Sequence, residues 1–253
     1  MRIWSCAATA TVVLAGIATA GVAQAQGLSN KVYSPYVENG VTELELRAGR
    51  LNGGPLNGES GAVVELEQGV NDRLSLAVLG EFEHHAGEKT KLDAVAVEGV
   101  YYIGQIPRLG VDVGGYLEYE QRIHNESGVL EGKLLFAKRS GPFEGLLNLI
   151  VGRPLSNRPG EHDADYGYAV QATWETAPGL KLGAQAFGDL GTDRSFGGSQ
   201  PHYVGPVANW TLRPRWMKGG EMELEAAWLA PVGAARQDTD SQVRLMLEFE
   251  KRF

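Results

Sequence analysis

Apolar and charged residues alternate with a period of two along most of the chain, and no other sequence feature constrains the fold as strongly. Between positions 41 and 50, for example, Leu44 and Leu46 alternate with Glu43 and Glu45. Successive side chains of a β-strand point to opposite faces, so this alternation predicts strands with one wet face and one apolar face.

The same rhythm continues to the C-terminus and predicts twelve strands. The pattern is weakest in 92–103 and 129–138, where the phase of the alternation is blurred. No segment after the first 25 residues shows a convincing helical period. The predicted strands lie near 41–50, 61–68, 73–83, 92–103, 110–121, 129–138, 143–152, 166–176, 180–190, 203–213, 221–230 and 242–253.

The connections between these strands alternate between short and long. The short ones carry turn-forming residues, as in Ala177-Pro178-Gly179, whereas long ones such as 153–165 lie between them. Tight periplasmic turns and longer outer loops are typical of bacterial membrane barrels. The sequence therefore predicts an all-β fold, a transmembrane antiparallel up-and-down barrel of about twelve strands over residues 41–253.

Composition excludes several other classes. The formal net charge of −8 argues against a protein that coats nucleic acid, so no nucleic-acid partner is expected. One cysteine cannot form an internal disulfide or a thiolate zinc cluster. Downstream of the N-terminus no apolar run of about 20 residues is present, which excludes helical membrane spans there.

The first 25 residues are interpreted as a secretory signal peptide. Arg2 is their only charged residue, an apolar stretch follows it, and Ala23-Gln24-Ala25 provides a small-x-small cleavage pattern. Residues 26–40 fit no strand rhythm, and they are expected to form a periplasmic N-terminal segment or a short plug. Both ends of the mature chain are expected on the periplasmic side.

Aromatic residues on the predicted apolar faces gather near the strand ends. Two aromatic belts around an aliphatic band are what lipid interfaces select. The residues near the long loops are Phe82, Tyr119, Tyr166, Tyr168 and Trp228, and those near the short turns are Phe143, Trp174, Trp210, Phe249 and Phe253.

The last strand alternates to the final residue and ends on an aromatic. It resembles the C-terminal strand of Gram-negative outer-membrane proteins, which the barrel insertion machinery recognises. The resemblance implies the cell outer membrane, with its lipid and lipopolysaccharide, as the surroundings. More loosely, the mature chain is similar to small porin-like transporters of proteobacteria. The residues that fit the assembly signal are Val243, Leu245, Leu247, Phe249 and Phe253, whereas Lys251 departs from it.

If the apolar face meets lipid, the charged face points into the lumen, because charges facing hydrocarbon are costly. Glu221, Glu223 and Glu225 form the best candidate for a stripe that attracts cations. The alternative is that they pair with Arg213 and Arg244 on the neighbouring strands. Glu248 is a further candidate lumen residue.

Three functions remain open from the sequence. The first is a narrow passive channel for small solutes with a cation bias. The second is a non-conducting barrel whose outer loops bind a partner or a surface, and the third is an outer-membrane enzyme. No catalytic residue, cofactor or metal site is predicted, because the acidic and histidine clusters at 83–88 and 161–165 lack defined ligand spacing.

Overall fold

The computed structural model describes residues 27–123, 127–156 and 163–252. Residues 1–26, and with them the predicted signal peptide, lie outside the described residues. The strands are β1 Val41–Asn52, β2 Ser60–Gly69, β3 Leu74–His84, β4 Lys91–Ile106, β5 Val111–Arg122, β6 Val129–Ser140, β7 Phe143–Pro154, β8 Asp165–Ala177, β9 Leu180–Thr192, β10 Pro201–Leu212, β11 Gly220–Gly233 and β12 Ser241–Arg252.

The twelve strands form one closed antiparallel barrel in which each strand pairs with its neighbours in sequence. The ring closes between β1 and β12, from Val41 opposite Arg252 to Asn52 opposite Ser241. Closure leaves no strand edge with unpaired backbone groups, which is the condition for a sheet to cross hydrocarbon. The predicted fold class is confirmed.

The alternation of side chains sorts the two faces of the wall as the sequence predicts. On β2, Leu66 is 51% exposed on the outer face, whereas the preceding Glu65 is 1% exposed on the inner face. On β5 the same contrast separates Leu117 from Glu118. The outer wall is therefore apolar and the inner wall carries the charges, as expected for a barrel in lipid.

One connection at the short-turn end is longer than the others there. β10 ends at Leu212 and β11 begins at Gly220, so the connection spans 213–219, and the predicted strands 203–213 and 221–230 leave a connection of the same length. Pro214 lacks a backbone N–H and cannot donate to the strand ladder, so β10 ends before it. This connection is as long as the one at 53–59, on the opposite side of the barrel.

Residues 27–40, called the inner segment below, run through the inside of the barrel. Tyr33 exchanges two hydrogen bonds with Asn148 on β7 and accepts one from Arg47 on β1, and β1 and β7 lie opposite each other in the ring. A chain that contacts two opposite inner walls must cross the lumen. Its only helical element is the short 3-10 turn Gly27–Ser29.

The direction of the inner segment differs from the expectation of a periplasmic start. Gln242, near the long-loop end of β12, donates a hydrogen bond to the Leu28 carbonyl oxygen. Glu38 pairs with Arg252 at the short-turn end. The described chain therefore begins in the half of the barrel nearer the long loops, descends to the short-turn end and reverses into β1.

Two glycines of the wall provide the room for this path. A Cβ at Gly49 would overlap the carbonyl oxygen of Leu28, and a Cβ at Gly69 would overlap that of Glu38. The inner segment therefore approaches the wall at both of its ends more closely than any residue with a side chain would allow. Over the described ranges no helix is both long and apolar enough to cross a membrane.

The residues of the predicted assembly signal occupy the outer face of β12. Val243 and Leu245 are exposed there, with Leu247 and Phe249 partly exposed. Phe253 lies outside the described residues.

Deletion of Phe253 is expected to leave exported protein that inserts poorly, because the terminal aromatic belongs to the predicted insertion signal. The measurement is the amount of heat-modifiable barrel in outer-membrane fractions, with Lys251→Ala as the control that spares the signal. Normal outer-membrane levels of the truncated protein would contradict this role.

Candidate functional site: the barrel lumen

A network of ion pairs holds the inner segment at the middle of the lumen. The Lys31 Nζ atom lies 2.5 Å from Glu45 Oε2 on β1. Arg47 Nε lies 3.0 Å from the other oxygen of Glu45, and Arg47 Nη2 lies 2.9 Å from Glu65 Oε2 on β2. Two cations and two carboxylates thus satisfy one another away from bulk water, as buried charges must.

Tyr33 is the centre of a second set of contacts. Its ring lies 4.6 Å from the ring of Tyr116, and Lys133 Nζ lies 4.1 Å from the Tyr33 ring and 3.9 Å from the Tyr116 ring. The hydroxyls of both tyrosines donate to Glu98 Oε2. The cation between two aromatic faces adds electrostatic attraction to the hydrogen bonds, so Tyr33 is fixed on several sides.

Part of the lumen is filled by apolar side chains rather than by charges. Tyr33 and Val37 of the inner segment pack with Val100, Tyr116 and Leu135. A second cluster packs around Val32 on the opposite wall and contains Ala169, Phe187, Val207, Ala227 and Leu229, with Ile150 and Tyr203 at its margin. The inner segment therefore has its own hydrophobic core inside the barrel.

Two cavities remain on either side of the inner segment. The outer cavity has a volume of about 640 Å³ and opens beneath the long loops, with His84, Asp189 and Gln200 among its lining residues. The inner cavity has a volume of about 250 Å³. Asn30, Lys31 and Arg244 line both cavities and separate them.

Four of the six predicted lumen residues line the inner cavity, namely Glu223, Glu225, Arg244 and Glu248. Asn209 Nδ2 donates to Glu223 Oε1 at 3.2 Å and to Glu225 Oε2 at 2.8 Å. These two glutamates are therefore held by neutral amide donors.

The other predicted pairings are only partly present. Arg213 Nε lies 2.7 Å from Glu221 Oε1, and this exposed pair sits at the short-turn end of the barrel. The Arg244 guanidinium lies 4.0 Å from the centre of the Phe187 ring. Among the described residues, no carboxylate lies within ion-pair distance of it. Pairing with arginine therefore holds for Glu221, while Glu223 and Glu225 take amide partners instead.

The histidine clusters lie around the outer cavity. His85 Nδ1 lies 3.3 Å from Glu59 Oε2, and the His202 and Tyr168 rings face each other. Glu88 is bound by Lys91 Nζ at 2.6 Å, and the hydrogen bond from this ammonium group lowers the pKa of Glu88. Glu161 and His162 of the second cluster lie outside the described residues.

Sequence reasoning missed the residues that hold the inner segment. Lys31 is the only basic residue between Gln26 and Arg47, which is a signal that a carboxylate partner was needed. Asn148 is a polar residue within the apolar run 146–151 of β7. Neither signal shows which wall the partner lies on.

No family model matches the sequence, and no curated protein matches it. Among solved structures, the barrel is similar to an outer-membrane channel from Pseudomonas putida F1 (TM-score 0.57, 11% identity, 90% of this chain and 98% of that one). It is also similar to the NanC porin (TM-score 0.57, 9% identity, 83% and 100%). A third is the KdgM porin in complex with disordered oligogalacturonate (TM-score 0.54, 8% identity, 83% and 99%).

These likenesses concern the fold, and the wall of this barrel agrees with them. The outer face is a band of exposed aliphatic residues, with Trp174, Trp210 and Trp228 about half exposed on it. Such a surface is stable only in lipid. The chain therefore has the fold of the Gram-negative outer-membrane β-barrels, and that fold places it in the cell outer membrane.

Proposed function

We propose that the protein is a passive outer-membrane channel for small solutes, with a preference for cations, and that the inner segment is its plug. Solutes would enter through the outer cavity and leave through the inner cavity. The constriction between the two cavities is formed by Asn30, Lys31 and Arg244. The channel and porin names of the similar barrels support the general class. They do not identify a solute for this chain.

The observation that carries the cation preference is the charge balance of the interior. Among the described residues, nine buried carboxylates face three buried basic side chains and the partly buried Lys31. The carboxylates are Glu45, Glu65, Glu81, Glu98, Glu118, Glu120, Glu131, Asp165 and Glu248, and the bases are Arg47, Lys133 and Arg244. A lumen lined by one sign of charge raises the local concentration of counter-ions.

The inner cavity shows the same excess on its own wall. Eight glutamates line this cavity against five basic residues. Four of the glutamates, Glu223, Glu225, Glu248 and Glu250, come from β11 and β12, where Arg244 is the basic residue contributed by these two strands. A cation that passes the inner segment therefore meets a wall with an excess of carboxylates.

Replacing Glu221, Glu223 and Glu225 together by Gln is expected to reduce the cation preference without unfolding the barrel. Glu221 pairs with Arg213 at an exposed position, and Glu223 and Glu225 accept from amide donors, so neutral isosteres retain the packing. The measurement is the reversal potential under a salt gradient in a planar bilayer, at low salt where screening is weak.

A matched control removes the same number of charges outside the lumen. Asp72→Asn, Glu88→Gln and Asp193→Asn combined change only exposed positions in turns and loops. This variant is expected to keep the wild-type reversal potential. Anion preference of the wild-type protein, or an equal shift in both triple variants, would reject the proposed selectivity.

The second candidate is a barrel that does not conduct and whose outer loops bind a partner or a surface. The contacts of Tyr33 with β1, β4, β5 and β7 favour it, because they tie the inner segment across the lumen. Well-folded protein that gives no conductance steps would establish this candidate over the channel. Neither candidate includes a catalytic step.

A further inference from the structure

Three buried glutamates converge inside the wall near the long-loop ends of β3 and β5. One carboxylate oxygen from each of Glu81, Glu118 and Glu120 lies within 4.8 Å of the others. These residues are 7%, 1% and 1% exposed. None of them lines either lumen cavity, so the cluster is closed off from the proposed solute path.

The intervening strand leaves space for this convergence. In the register of β3, β4 and β5, Ala94 lies beside Glu81, and Ala96 lies beside Glu120. Both alanines are buried on the inner face. Their short side chains let carboxylates from β3 and β5 approach each other across β4.

The basic groups nearest the cluster are each engaged by carboxylates. Arg122 Nε lies 2.8 Å from Glu120 Oε1. Lys133 on β6 lies 3.0 Å from Glu131, and Arg47 on β1 is engaged by Glu45 and Glu65. Like charges as close as these three carboxylates repel strongly in a buried setting.

An unpartnered oxygen points into the cluster. Glu81 Oε1 is buried and has no hydrogen-bond partner in the part of the chain that the structure describes. Glu120 Oε2 is likewise buried and has no hydrogen-bond partner among the described residues. A buried charged oxygen without a partner costs free energy, so each such group needs a ligand that supplies positive charge.

We propose that Glu81, Glu118 and Glu120 bind a divalent metal cation, with Ca²⁺ as the best-fitting ion. Ca²⁺ takes carboxylate oxygens at about 2.3–2.6 Å, so oxygens up to about twice that distance apart can share one ion. Its flexible coordination accepts three protein carboxylates together with water, whereas Mg²⁺ demands a stricter octahedron. The ion would tie β3 to β5 beneath the outer loops.

A second acidic group has the same spacing but lies beside two basic side chains. Glu65, Glu67 and Glu98 also bring their oxygens within 4.8 Å of one another. There, however, Arg47 Nη2 lies 2.9 Å from Glu65, and the Tyr33 and Tyr116 hydroxyls donate to Glu98. Lys31 Nζ lies a further 4.0 Å from Glu65, so two cations stand beside that group, and Glu67 is only partly buried.

The test titrates the purified, folded full-length mature protein with Ca²⁺ alone, by calorimetry and by the shift in thermal unfolding temperature. Binding in the range of about 0.1–1 mM or tighter is expected, as for extracellular calcium sites. Glu81→Gln is expected to weaken Ca²⁺ binding by at least about tenfold, because it removes a charged ligand. Asp72→Asn, in the exposed turn between β2 and β3, is the control and is expected to bind Ca²⁺ as the wild type does.

A second readout covers the case in which Glu81→Gln does not fold. Tb³⁺ bound at this site is expected to emit on excitation of tyrosine, because Tyr116 is hydrogen-bonded to Glu118. Tyr116→Phe is expected to diminish that emission while Ca²⁺ still competes for the site. Wild-type protein that binds neither ion at neutral or alkaline pH, or equal Ca²⁺ affinity in Glu81→Gln, would overturn the proposal. Conductance and ion preference are not expected to depend on Ca²⁺ binding at this cluster. Failure of the metal site and failure of the channel proposal can therefore be told apart.

Discussion

Deletion of residues 27–37 is expected to raise the single-channel conductance several-fold. A ring of twelve strands encloses an interior intermediate between a packed eight-stranded barrel and an open sixteen-stranded pore. The inner segment occupies the middle of that interior and separates the two cavities at Asn30 and Lys31. Removing it joins the cavities into one water-filled passage.

The matched control for this deletion is Tyr36→Phe. It removes only the hydroxyl that donates to Asp112 near the short-turn end and leaves Lys31 and Tyr33 in place. The control is expected to conduct as the wild type does. Heat-modifiable migration establishes that both variants are folded barrels. A folded deletion variant with unchanged conductance would show that the inner segment does not obstruct the path.

Leu245→Arg is expected to cost about 2–4 kcal/mol of the free energy of unfolding, because an arginine near the bilayer midplane must be accommodated in hydrocarbon. Leu245 is 53% exposed on the outer face of β12, and its register partners are Ala48 on β1 and Ala226 on β11. Neither alanine offers a polar group to the new guanidinium. The measurement is urea unfolding of the protein in phospholipid vesicles.

Glu248→Gln on the same strand provides the comparison. Glu248 is 8% exposed and faces the lumen, close to other carboxylates. The neutral isostere keeps the volume and the hydrogen-bonding capacity, so the loss of stability is expected to be much smaller than at Leu245. Equal costs at the two positions would mean that the assignment of inner and outer faces is wrong.

The wall of the barrel could be predicted from the sequence because lipid imposes a simple rule on it. Every second residue of a strand must be apolar. The alternation therefore shows where strands such as β1, β2 and β12 begin and end and which residues face outward. Their observed ends lie within about three residues of the predicted ones, as is usual for strand boundaries.

The blurred phase of the strands predicted at 92–103 and 129–138 has a structural cause. Ala94, Ala96 and Val100 of β4 and Leu135 of β6 are apolar although they face inward. Val100 and Leu135 pack against Tyr33 of the inner segment. An interior that contains a hydrophobic core no longer alternates between polar and apolar residues, so a segment inside the lumen weakens the period in the wall around it.

The pairings inside the lumen could not be predicted because the period of two fixes the face of a side chain but not its partner. Glu223 and Arg244 have opposite charges and lie on adjacent strands. In the structure, however, Glu223 accepts a hydrogen bond from Asn209 on its other neighbouring strand. Arg244 instead stacks on Phe187 of β9, three strands away in the ring. Shear and side-chain length decide such contacts, and neither is encoded in the period of two.

The position of the inner segment also bears on how the ring closes during folding. Pairing β1 with β12 joins the two ends of the barrel sequence, so it carries a larger loop-closure entropy than any hairpin between neighbours. The inner segment touches both seam strands, at Gln242 and Arg252 on β12 and at Gly49 on β1. A segment tethered to β1 and bound to β12 bridges the two strands of the seam, so the same residues that fill the lumen also hold its closing pair together.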